Sequence, residues 1–193
     1  MVKLDIIRKL DAQLGEEVTK FTPVALFVGA TNGVGRDSIK HFAKSTILVN
    51  FVGRSRERGE QLKSELTAIS SDGYYVFISA DVSLMTAVDD VCQVIMKKEQ
   101  YLNLIFMSQA NTQKLPETLT SKNAISYCSR VRFAVNLIPY IKNGFVFGSG
   151  LEGKVVTDDL DGRDLSLLRN RNLRSPVTTL AIDKLSQEDP EIS

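Results

Sequence analysis

The sequence predicts an α/β fold, a doubly wound parallel sheet with helices on both faces. Three observations carry that reading. Short apolar runs alternate with amphipathic stretches along most of the chain, the pattern of successive strand and helix units. The first run, Val24 to Val28, enters a glycine-spaced turn, Gly29-Ala-Thr-Asn-Gly33-Val-Gly35, and a helical pattern follows at once. The chain has 193 residues, 43% hydrophobic and 24% charged, an ordinary globular mixture that suits one core-bearing domain over 1–193.

An amphipathic piece around Lys3 to Gln13 predicts a helical extension over residues 1–20, ahead of the sheet. Strands follow near Val24 to Val28, Ile47 to Val52, Tyr74 to Ser79, Leu102 to Met107 and Phe145 to Phe147. Helices are predicted between them, near Gly35 to Lys44, Glu57 to Ile69, Thr86 to Lys98 and Asn123 to Ile141, with a further one near Pro176 to Ser186. In the first helix Ile39, Phe42 and Ala43 share one face. Right-handed crossovers then place helices on both sides of the sheet. The polar passage from Gly148 to Asn172 reads as an extended loop.

The turn after the first strand carries the chemistry. Its spacing, Gly-x-x-x-Gly-x-Gly, is neither Gly-x-Gly-x-x-Gly nor a phosphate loop ending in Gly-Lys-Ser/Thr. It still meets the demands of a nucleotide phosphate cradle. The chain must leave a buried strand, reverse tightly, bring bare N–H groups close to a phosphate and open a helix whose N-terminus favours negative charge. Glycine at Gly29, Gly33 and Gly35 tolerates those crowded positions.

Composition excludes other classes. The formal net charge is +1, with acids and bases interleaved, so no cationic footprint for nucleic acid or an anionic membrane exists. The longest apolar runs fall far short of a membrane span, and Met1 to Arg8 lacks the apolar centre of a signal peptide, so a cytoplasmic chain is expected. Cys92 and Cys128 have no Cys or His neighbours at ligand spacing and read as buried thiols rather than a disulfide or metal site. His41, the single histidine, lies beside Phe42 on the first helix and reads as a surface or packing residue. The pairs Asp89/Asp90 and Asp158/Asp159 read as a solvated helix face and a polar loop.

Where the second strand ends, in Gly53-Arg54-Ser55-Arg56-Glu57-Arg58, an acidic residue would accept from ribose hydroxyls, whereas an arginine can fork onto a 2′-phosphate. Arg54 therefore favours NADP. The competing explanation is a solvated helix entrance with Ser55 as N-cap, although cations at a helix start oppose its dipole. Asp81-Val82-Ser83 follows the third strand, and Ser83 is expected to cap the next helix.

Taken in order, Gly29-x-x-x-Gly33-x-Gly35, Gly53-Arg54 and Ala80-Asp81-Val82-Ser83 resemble the short-chain dehydrogenase/reductase family, from about Val24 to Ser186. The resemblance implies a Rossmann-like sheet in which Thr31, Asn32, Gly33 and Val34 wrap the diphosphate, Asp81 contacts the adenine and Arg54 selects NADP. A narrower similarity, in Tyr127-Cys-Ser-Arg-Val-Arg-Phe, Asn136-Leu-Ile-Pro139, Gly148-Ser-Gly-Leu-Glu152-Gly153 and Asp158-Asp-Leu-Asp161, is to divergent fungal reductases of secondary metabolism. That similarity implies a small hydrophobic carbonyl or alcohol substrate.

Departures from the family are as specific as the matches. The family's Tyr-x-x-x-Lys pair is missing, because Tyr74, Tyr75, Tyr101, Tyr127 and Tyr140 are followed at the fourth position by Ile78, Ser79, Ile105, Val131 and Gly144. A phenol with a pKa near ~10 needs a neighbouring cation to act near neutrality, so the standard proton relay fails. Ser149 is available just after the fifth strand, where the family keeps its serine, yet the better local register puts Phe145 there. Met107-Ser-Gln-Ala110 stands where the family has Asn-Asn-Ala-Gly, which weakens the expected support of the active-site floor. The catalytic residues stay unassigned. The sheet is expected to stop after about five strands, with a homo-oligomer or reduced stability as the consequence. The leading expectation is an NADP-dependent oxidoreductase acting on a small molecule. The alternative is a catalytically silent or non-redox nucleotide-binding relative.

Overall fold

The computed structural model describes residues 22–44, 48–110 and 124–148, together with helical residues 178, 180, 181, 183–185 and 187; of 142–148 only the backbone is described. The expectations for 1–20, Ile47, Ser149, Asp158/Asp159 and the Gly148 to Asn172 loop beyond Gly148 lie outside the described residues.

Strand β1 (Val24–Val28) leads through helix α1 (Gly33–Phe42) to β2 (Leu48–Gly53), then α2 (Arg56–Ile69), β3 (Tyr74–Ser79), α3 (Met85–Lys98) and β4 (Leu102–Met107). After residues 111–123 come a π-helical turn (Ala124–Cys128), α4 (Ser129–Leu137), a 3-10 turn (Ile138–Tyr140) and β5 (Ile141–Gly148). The strands form one sheet in the order β3-β2-β1-β4-β5, and every neighbouring pair is parallel. This is the doubly wound arrangement expected from the alternating pattern, and the chain reverses direction across the sheet beside β1.

Alternation along β1 builds two cores. Val24, Leu26 and Val28 face α3 and α4, where they meet Val88, Val91, Cys92, Ile95, Phe133 and Leu137. Ala25 and Phe27 face α1 and α2, against Ile39, Leu62 and Leu66. Phe27 stacks on Phe106 at 5.2 Å between ring centres and meets Phe42 edge-on at 5.4 Å. All five residues of β1 are buried, as a central parallel strand covered on both faces requires.

Two elements differ from the sequence reading. The helix expected from Asn123 to Ile141 is helical throughout 124–140 but changes in type, from a π turn over Ala124–Cys128 through an α-helix to a 3-10 turn that holds Pro139, whose missing N–H cannot supply a backbone donor. The fifth strand begins at Ile141, before Phe145, because β5 uses Lys142 to Gly144 where β4 uses Asn103 alone. Asp89 is also more than a solvated face. It is held by Arg132 Nε and Nη2 at 2.7 and 2.8 Å and by Asn136 Nδ2 at 2.8 Å, which ties α3 to α4. Cys128 is exposed rather than buried, because it ends the π turn.

Candidate functional site

The C-terminal ends of β1, β2, β3 and β4 lie at one edge, and the pairing continues just past them. Gly29 donates to the Val52 carbonyl at 3.1 Å, Ala80 to Gly53 at 3.1 Å and Ser108 to Val28 at 2.9 Å. The sequence-predicted residues of the turn, of Arg54 and of Asp81 are thereby gathered along one crevice, where doubly wound sheets bind ligands.

Within the turn each glycine meets a different constraint. Gly29 has φ +83°, and a Cβ there would lie 2.6 Å from the Gln109 amide nitrogen. Gly35 is pressed into the loop, where a Cβ would meet Ser108 Oγ and lie 2.8 Å from the Gly29 carbonyl. Gly33 is the opposite case: its φ is +55°, yet a Cβ would find no atom of the described residues within 4 Å. The turn therefore leaves open space in front of Gly33 and closes tightly behind it. That is the shape a diphosphate needs.

Helix α1 opens at Gly33, two residues earlier than its apolar pattern begins. Asn32 caps it, with Oδ1 accepting from the Gly33 amide at 2.8 Å, while Arg36 N–H reaches the Asn32 carbonyl at 3.4 Å. The Val34 and Gly35 amides lie in the first turn, where an α-helix offers no acceptor of its own. The first turn carries no acidic residue, and the last turn carries Lys40 and His41. The positive end of the helix dipole is thus left for an external anion. His41 is exposed on this helix, away from the crevice.

Thr31 packs its side chain onto Gly53, where a Cβ would collide with Thr31 Cγ2 and Oγ1. This contact seats the glycine turn on the end of β2 and puts Arg54 beside it. Arg54 is exposed and has no ion-pair partner among the described residues. Arg36, by contrast, is bound by both Glu65 oxygens at 2.7 Å, and Lys40 shares that carboxylate. Lys40, followed by Arg36, holds the Glu65 carboxyl below the usual range. Ser55 caps α2 by accepting from the Arg58 amide at 3.3 Å, as the local sequence suggested. Ser83 behaves differently from expectation. Its amide and hydroxyl both donate to Asp81 Oδ1, at 3.1 and 2.8 Å, while α3 is entered at Leu84 without a side-chain cap. The short-range Asx turn wins over capping because it fixes the Asp81 carboxylate locally.

A sequence model described as short chain dehydrogenase matches residues 23–143 of this chain. The chain belongs to the short-chain dehydrogenase family. Among relatives, this chain is 32% identical to Oxidoreductase AN1596 of Emericella nidulans over 183 residues, covering 88% of this chain and 55% of the relative. It is 32% identical to Oxidoreductase andH of Emericella variicolor, covering 96% of this chain and 59% of that one. The chain thus spans little more than half the length of these relatives. Solved structures show the same fold at low identity. The L-sorbose reductase of Gluconobacter frateurii, complexed with NADPH and L-sorbose, has a TM-score of 0.67 at 16% identity, over 86% of this chain and 64% of the reductase. A metagenomic short-chain oxidoreductase in complex with NADP has a TM-score of 0.68 at 17% identity, over 86% of this chain and 77% of its own.

Sequence reasoning missed the support behind the glycine turn of this family member. Ser108 Oγ reaches the Val28 and Gly29 carbonyls, each at 3.3 Å. Gln109 is 4% exposed and donates from Nε2 to Ser129 Oγ at 3.1 Å, and its own carbonyl accepts from Arg130 Nη2 at 3.1 Å. The available signal was a pair of polar residues ending an apolar strand next to β1. Of the tyrosines, Tyr75 is buried and bonds the Ser70 carbonyl at 3.3 Å, and burial pushes its phenol up, away from proton-transfer duty.

Proposed function

We propose that this chain is an NADP-dependent oxidoreductase acting on a carbonyl or secondary alcohol of a small hydrophobic metabolite, in secondary-metabolite biosynthesis. One observation carries the reading: among the described residues nothing fills the space before Gly33, at the mouth of an acid-free helix start, and Arg54, one strand away, has no ion-pair partner. The residues fit the group. Val34 and Gly35 amides, with Gly33 and Thr31, would hold the diphosphate, Arg54 the 2′-phosphate and Asp81 the adenine.

When bound, nicotinamide supplies a hydride donor or acceptor at its C4. The chain's share is orientation. The glycine turn fixes the diphosphate, and the ends of β4 and β5 bound the side of the crevice away from Arg54. No side chain is assigned to proton transfer. Two similarities support the redox reading: the fungal relatives bear the name oxidoreductase, and structural neighbours were solved with NADP or NADPH. We further propose a single nucleotide-binding domain working in the cytoplasm, as a homo-oligomer, with a small molecule rather than nucleic acid or membrane as partner. No helix among the described residues is long and apolar enough to cross a membrane.

A second reading is a nucleotide-binding relative without redox turnover, favoured by the missing Tyr-x-x-x-Lys pair. Titrating the full chain and Arg54→Glu with NADPH and NADH tests the cofactor. The expected result is a preference for NADPH that the variant loses, and an unchanged preference would remove Arg54 from the site. Incubation with NADPH and a panel of ketones separates the two readings, since consumption above a Gly33→Asp control supports the enzyme and its absence with intact binding supports the second.

A further inference from the structure

The polar residues behind the glycine turn form a connected set that reaches from the core of α4 to the crevice. Arg130 is 6% exposed, and burial pushes its guanidinium down from the usual arginine range. Placing a cation there is costly. Its Nη2 donates to the Gln109 carbonyl at 3.1 Å, and the adjacent Ser129 receives the Gln109 side-chain amide while donating to the Ile125 carbonyl. Gln109 is thus gripped at both main chain and side chain by consecutive residues of one helix.

What Gln109 does for the crevice follows from Gly29. The backbone of Gln109 lies so close to the Gly29 Cα that even a methyl group would not fit between them. Any shift of Gln109 therefore moves the first residue of the phosphate turn or opens a gap beneath it. Gln109 Oε1 is itself buried, with no hydrogen-bond partner among the described residues.

We propose that Arg130, acting through Gln109 with Ser129, is a positioning residue for the half of the dinucleotide that lies over β4. The proposal rests on the nucleotide-binding reading above. Its direction comes from the strand order. Arg54 and Asp81 end β2 and β3 on one side of β1, whereas Gln109 ends β4 on the other. A dinucleotide laid across β1 has its adenosine half on the first side and its second half on the Gln109 side. Arg130 then governs the fit of the second half and leaves the adenosine half alone.

The test uses two probes on the full chain: NADPH, which spans β1, and adenosine 2′,5′-bisphosphate, which carries only the adenosine side. Arg130→Met is expected to weaken NADPH about tenfold, with adenosine 2′,5′-bisphosphate affinity unchanged. Arg130→Lys is expected to recover part of the NADPH affinity, and Ser129→Ala to repeat the selective loss more weakly. These two variants decide the matter if Arg130→Met does not fold. Equal weakening of both probes would show a merely structural role and overturn the proposal, as would unchanged NADPH binding in Arg130→Lys and Ser129→Ala. Failure of the wild-type chain to bind either probe would instead strike the nucleotide-binding reading itself.

Discussion

At the scale of single residues, Gly33 and Gly35 separate two demands that a glycine pattern confounds. Gly33 sits at φ +55° with free space around it, so Gly33→Ala costs only left-handed strain, roughly 1–2 kcal/mol, while projecting a methyl group into the diphosphate's place. The expected outcome is a folded protein with a slightly lower melting temperature and weakened NADPH binding. Gly35→Ala must drive its methyl into the Gly29 carbonyl and Ser108, so its expected signature is a large fall in melting temperature whether or not ligand is present. Asp89 gives a pH prediction. Arg132, then Asn136, pull its carboxyl down from 3.8 to about 2, so the folded pKa lies below the unfolded one. The contribution of Asp89 is complete above its unfolded pKa and is lost as pH falls through the folded value. Urea melts between pH 2 and 5 should show that acid-induced loss weakened in Asp89→Asn, with the pH dependence above pH 5 unchanged.

At the scale of elements, the sheet owes its rigidity to Phe27, fully buried between Phe106 and Phe42. Phe27→Ala is expected to destabilise by about 3–5 kcal/mol, read from the urea midpoint at constant slope. Strands β1, β3 and β4 were legible in the sequence to the residue, because each is dominated by a short apolar run with polar or turn residues close by. The start of β5 was not, since Lys142-Asn-Gly144 interrupts its apolar pattern and the compensating register shift belongs to the pairing with β4. The π turn before α4 was hidden as well, because helical periodicity tolerates it. The glycine turn could be read because its spacing is continuous in sequence; Gln109, Ser129 and Arg130 could not, because their meaning depends on a contact between β4 and α4.

At the scale of the whole molecule, the order β3-β2-β1-β4-β5 turns scattered motifs into one crevice. Residues near 30, 54, 81 and 109 meet only because each ends a strand at the same edge. The family membership agrees with that geometry, and the missing Tyr-x-x-x-Lys pair sets this chain apart from the family's usual proton relay. A ligand held across the ends of several strands binds only the folded sheet. NADPH at about 100 times its Kd should therefore stabilise the chain by about 2.7 kcal/mol, seen as a higher melting temperature that depends on ligand concentration.

Calorimetric titration of the full chain with NADPH, beside Gly33→Asp, tests the central claim most directly. The expected result is saturable binding at one site per chain that the aspartate abolishes, since its carboxylate would occupy and repel the diphosphate position. Binding of equal strength in Gly33→Asp, or none in the unaltered chain, would contradict the account.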